Sequence, residues 1–129
     1  MTAQAGNLLV GLGSGEGAER FETLLTAAGA RIERIVSWGQ ASPEGFWYDQ
    51  AWDEWVLVVQ GGAGVRCEGE DVRELGPGDW LWLPAGCRHR VEWTELGRPT
   101  VWLAVHVGEE QEGPAGAPGG DPGESKQKT

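Results

Sequence analysis

Gly78-Asp79-Trp80-Leu81-Trp82-Leu83-Pro84-Ala85-Gly86-Cys87-Arg88-His89 decides how this 129-residue chain folds. Gly76-Pro77-Gly78-Asp79 reads as a tight turn, and the four apolar residues Trp80–Leu83 follow it as a short strand. Pro84 and Gly86 end that strand at a corner, and His89 stands just past the corner. The arrangement brings one titratable, metal-competent side chain to the end of a β-structure.

The same signals continue on both sides. Upstream, Arg31–Trp38, the aromatic Phe46–Gln50 and Trp55–Gln60 read as strands, with a Pro43-containing loop over 39–45. Trp55–Gln60 is almost continuously apolar, which predicts burial on both faces. Val65–Gly69 and Asp71–Leu75 flank a Gly-Glu-Asp turn; downstream, His89–Thr94 and Thr100–Val107 complete the series. Short strands separated by regular turn signals predict an all-β sandwich or barrel. One segment has another period: Phe21, Leu24 and Leu25, with Glu19, Arg20 and Glu22 between them, predict a short amphipathic helix from Ala18 to Ala28. Residues 1–17 read as a flexible lead-in. GLGSGEG fails the GxGxxG spacing at Glu16, and no phosphate-loop lysine follows it. Residues 108–129 are acidic, rich in Gly and Pro, and predict a disordered tail after a domain over 18–107.

Composition narrows the partners. A formal net charge of -10 disfavours nucleic acid, whose phosphates call for Lys and Arg, and an anionic membrane surface as well. No apolar run approaches the ~20 residues of a membrane span, and the N-terminus has no basic region before an apolar one. Two cysteines without a CxxC predict a reducing, cytoplasmic setting. Eight tryptophans and 22 glycines suit a compact barrel filled by large side chains or a buried subunit contact.

The run Gly78–His89 resembles the second signature motif of the cupins at every fixed position up to the histidine, although Trp93 stands where the motif closes on Asn. Of the first motif, Glu54 and Gly61 match. Its two histidines fall at Tyr48 and Gln50, or in the longer register at Trp47 and Asp49, and its opening glycine falls at Ser42. The chain is similar to short bacterial cupins that carry FWYDQ and DEWV stretches. The resemblance implies a cupin-type antiparallel β-barrel (a double-stranded β-helix or jelly roll), a homodimer, and a site inside the barrel.

That site would hold His89, Tyr48 and Glu54 as catalytic residues, with Gln50, Trp82, Trp102 and His106 binding ligand. If a divalent ion (Fe, Mn, Ni or Zn) is bound, His89, Glu54, Gln50 and Tyr48 would be its ligands. Loss of two imidazoles weakens such a site, so a metal-free pocket is the leading expectation. His89 beside a carboxylate suits a general base, and Tyr48 could carry a proton on the other side. This predicts a small-molecule enzyme or binder of isomerase or lyase type. A metal-dependent dioxygenase or lyase, and a non-catalytic binding module, are the alternatives. His106 shares strand parity with Trp102 and Ala104 and reaches the cavity only if that mixed face turns inward. Cys87 invites a nucleophile reading, but no third group is evident. Arg88 and Arg90 could attract an anion or balance nearby carboxylates; Asp49 and Asp53 read as exposed or turn-forming.

Overall fold

The computed structural model describes residues 2–109; the predicted tail lies outside them except for its first two residues. Eight antiparallel strands form two sheets: β1 (Arg20–Ala27), β2 (Ala30–Ser37), β3 (Asp53–Gln60), β4 (Ala63–Cys67), β5 (Arg73–Leu75), β6 (Trp80–Leu83), β7 (His89–Thr94) and β8 (Thr100–Val107). One sheet runs β1-β2-β8-β3-β6 and the other β5-β4-β7. The core lies between them: Val56, Val58, Leu83, Trp102 and Ala104 from the first sheet meet Ala63, Val65 and Leu75 from the second. Among the described residues there is no helix, hence none long and apolar enough to cross a membrane.

The predicted helix over 18–28 is therefore corrected to strand β1. Its 3–4 spacing has a specific origin. A β-bulge between Thr23 and Leu25 inserts Leu24 into the ladder with β2 and resets the period-two alternation. Ala28 and Gly29, both at positive φ (51° and 78°), close a two-residue hairpin of the primed type, whose twist suits the flanking strands. Tertiary pairing with seven residues of β2 outweighs the helical pattern.

β3 also departs from expectation. Its residues alternate between buried Glu54, Val56 and Val58 and half-buried Trp55 and Leu57. Only one of its faces meets the core. The other joins Trp80 and Trp82 of β6, which pair with Leu57 and Trp55 and remain 56% and 49% exposed. The strand thus reads apolar throughout because both faces carry large side chains, although only one is covered.

Residues 2–19 form no strand. The buried Arg34 guanidinium donates to the carbonyls of Leu8, Val10 and Gly11 and pairs with Glu22, tying this segment to the outside of β2. A groove of about 330 Å³ opens there, lined by Gln4–Leu8, Leu24, Leu25 and Arg34. Arg34 is its one charged group and already has its partners, so the groove offers no reactive chemistry.

Candidate functional site

Strand parity carries Glu54, His89 and His106 to the barrel interior, and Tyr48 and Gln50 join them by stacking on His89 and bonding Glu54. Glu54 pairs with His106 across β3–β8 and with Leu83 across β3–β6, so its carboxylate shares a face with the core. Tyr48 lies in the segment that adds to the edge of β7. Its N–H donates to the His89 carbonyl at 2.7 Å, and the His89 N–H returns to the Tyr48 carbonyl at 3.1 Å. This bridge places both rings on one side of the backbone, stacked with centroids 5.2 Å apart and planes at 19°. The Gly86 N–H holds the Gln50 carbonyl at 2.8 Å, and the Ala85 N–H holds Asp53 Oδ1 at 2.9 Å. The Pro84–Gly86 corner thereby docks the loop that carries Gln50, with Gly86 at a φ of 80°.

The two buried imidazoles differ in what their nitrogens can do. His89 Nδ1 lies 2.9 Å from the Cys87 carbonyl oxygen, an acceptor, so Nδ1 carries the proton in the neutral ring. Nε2 then holds a lone pair, 4.0 Å from Glu54 Oε1. That same oxygen accepts from Gln50 Nε2 at 3.0 Å. In His106 both nitrogens are engaged. The Trp52 indole, which can only donate, is 2.9 Å from Nδ1, while Nε2 is 2.9 Å from Glu33 Oε1. Neutral His106 therefore carries its proton on Nε2.

Charge around His106 is mostly negative. Burial pushes its pKa down, but Glu54 and Glu33 outweigh burial, and the net direction is up. Burial also works against the Glu33 carboxylate; His106 and Arg31 more than offset this and hold Glu33 below the usual carboxylate range. Arg31 itself is divided between Glu33 at 3.3 Å and Glu109 at 2.6 Å.

The remaining predicted residues fall elsewhere. Trp82 lies on the outer face of β6, opposite Leu81 and Leu83, and does not line the interior. Trp102 is interior but sits in the core, donating from Nε1 to Ser37 Oγ at 3.0 Å. Ser37 in turn bonds Glu19, whose carboxyl is pushed up by burial. Arg88 pairs with Glu68 and Arg90 with Glu92; both guanidiniums lie over the Trp47 ring, as does Arg66. They balance carboxylates on the outer face rather than reaching the interior. Two site residues escaped sequence reading, Trp52 and Glu33. Trp52 shares parity with Tyr48, Gln50 and Glu54, which was a usable signal. Glu33 reaches His106 only through the β2–β8 pairing, which no local pattern announces.

The donor set is short of the imidazoles that favour a transition-metal ion. Of the four expected ligands, His89 Nε2 and Glu54 Oε1 lie 4.0 Å apart, Gln50 donates to Glu54 and Tyr48 stacks on His89, while the second imidazole is taken by Trp52 and Glu33. Among the described residues, no group of three His, Cys, Asp or Glu side chains could hold an ion. Stable sites for such ions use three or four protein ligands.

Comparison with known proteins agrees with this architecture. A crystal structure from Ralstonia eutropha JMP134, named "putative mannose-6-phosphate isomerase", is 57% identical with a TM-score of 0.79, covering 81% of this chain and 98% of that one. A cupin superfamily protein from Desulfitobacterium hafniense DCB-2 is 18% identical at a TM-score of 0.65, covering 83% and 94%. An RmlC-like cupin with a double-stranded β-helix from Methanocaldococcus jannaschii is 13% identical at 0.58, covering 70% and 80%. No curated protein matches. The family description "Cupin domain" matches residues 39–106, from the loop before Tyr48 to His106. The chain belongs to the cupin family.

Proposed function

We propose that the barrel interior binds an uncharged small molecule and moves a proton on it, with His89 as the base. The observation that carries this reading is the held tautomer of His89: Nδ1–H on the Cys87 carbonyl leaves the Nε2 lone pair directed toward Glu54. In the reaction, Nε2 takes a proton from carbon next to a carbonyl. Glu54 stabilises the imidazolium, and the proton returns at the neighbouring atom. Tyr48 stacks on the imidazole and serves as the second acid–base group, while Gln50 holds Glu54 and binds ligand. Isomerisation is the reaction type in the name of the Ralstonia protein, which supports the choice. The electrostatics point away from a phosphate ester. Glu33 and Glu54 make the interior acidic, Arg31 is already shared by two carboxylates, and Arg66, Arg88 and Arg90 lie outside.

A homodimer in the cytoplasm, with no nucleic-acid or membrane partner, belongs to the same proposal; exposed Trp80 and Trp82 beside Trp55 support it. The test of the reaction is solvent exchange. Neutral aldoses and ketoses incubated with the protein in D2O should gain deuterium beside the carbonyl. His89→Ala should slow that exchange by about 10²-fold or more. Exchange indifferent to His89→Ala, or present only with added Fe, Mn, Ni or Zn, would overturn the reading.

A further inference from the structure

Cys67 and Cys87 are 20 positions apart in sequence and adjacent in space. Cys67 ends β4, where its cross-strand partner is His89. Cys87 occupies the turn leading into β7, its N–H bonded to the Pro84 carbonyl at 3.0 Å. Beyond the β4–β7 ladder the Glu68 N–H bonds the Arg88 carbonyl at 2.9 Å, which keeps the two chain segments together past the last strand pair. Both thiols are free, both are half-buried against the same core, and Cys87 lies close enough to act on the Cys67 thiol.

We propose that Cys67 and Cys87 are a reversible disulfide site, closed by a low-molecular-weight disulfide such as oxidised glutathione. Burial first, and then Cys87 beside it, raise the Cys67 thiol to about 11, so Cys67 stays protonated at neutral pH. Cys87, on the turn before β7 rather than in a strand ladder, is the attacking sulfur. Its thiolate displaces one thiolate from the reagent, which takes up the proton Cys87 released, and a mixed disulfide forms. Cys67 next gives up its proton and attacks Cys87 Sγ, forming the internal bond and expelling the second reagent thiol. Two protein thiols are oxidised and one reagent disulfide is reduced to two thiols.

The site lies directly behind the proposed base. The carbonyl that holds the His89 tautomer belongs to Cys87, so drawing Cys87 toward Cys67 alters the hydrogen bond at Nδ1. That consequence rests on the proposed role of His89; the disulfide does not.

The experiment treats the full native chain with excess oxidised glutathione and follows mass and free thiols. Both thiols should disappear together, the mass should fall by two hydrogens, and dithiothreitol should restore them. Cys67→Ser should instead trap a stable glutathione adduct on Cys87. A persistent adduct on the wild-type chain, a disulfide between two chains, or thiols that react only in denaturant would overturn the proposal. The chain has two histidines, so imidazole NMR separates the two claims. Oxidation should shift the His89 ring signals and leave those of His106 in place. Internal closure without a His89 shift would sink the coupling while leaving the disulfide.

Discussion

The Glu33–His106–Trp52 chain shows how three side chains set one protonation state. The carboxylates favour imidazolium, whereas the Trp52 indole requires a bare Nδ1, because two N–H groups cannot face each other at 2.9 Å. Removing the indole donor in Trp52→Phe should therefore raise the His106 pKa further, read by NMR titration of the ring. It should also cost about 1 kcal/mol of stability, the ordinary worth of a buried hydrogen bond. The pair makes stability depend on pH in a definite sense. Glu33 is lowered, so its contribution is complete above 4.5 and is lost as pH falls through its folded value. His106 is raised, so its contribution is complete below 6.5 and is lost as pH rises through its folded value. Both are in place between 4.5 and 6.5. Urea unfolding across pH should show the largest difference between wild type and Glu33→Gln inside that window. A difference that keeps growing above it would contradict the assignment.

At the scale of elements, turns and short apolar strands were the legible part. Trp80–Leu83, His89–Thr94 and Thr100–Val107 are strands with the bounds their flanking turn residues predict. β1 was hidden because its bulge at Leu24 counterfeits a helical repeat. The interior of β3 was half legible: the resemblance to the cupin first motif singled out Glu54, but the outward turn of Trp55, Leu57 and Trp82 depends on which face of the sheet the second sheet covers. His106 lay inside for the same reason, since the inward face of β8 is settled by β2 and β3 on either side. Gly61, which matches the first motif, has a structural cause. Its φ is 88°, and an added Cβ would lie 2.5 Å from Thr100 Oγ1 and 2.7 Å from Thr100 Cα, where β3 gives way to β4. Gly61→Ala should cost roughly 2–4 kcal/mol, combining backbone strain with overpacking. Gly69→Ala, at a φ of 86° but in open space, should cost only the strain, about 1–2 kcal/mol. Equal shifts of the two denaturation midpoints would refute the steric part.

For the whole molecule, the outer face of the five-stranded sheet carries the proposed dimer. Large indoles left uncovered on one face, in a chain of net charge -10, give a surface suited to burial against a second copy. Trp80→Ser with Trp82→Ser should convert a dimer to a monomer in analytical ultracentrifugation without moving the His89 signals. A wild-type chain that sediments as a monomer at micromolar concentration would dispose of that reading. The far end of the barrel has a different consequence. There Trp102 bonds Ser37, Ser37 bonds Glu19, and Ser37 and Thr100 are fully covered, so side chains fill the interior at that end. Under the proposed function, a cup closed at that end has a single doorway. Reactant and product must use it in turn, and the spent molecule has to leave before the next arrives. Product should accordingly inhibit in simple competition with substrate, and no two substrate molecules should occupy the cup together.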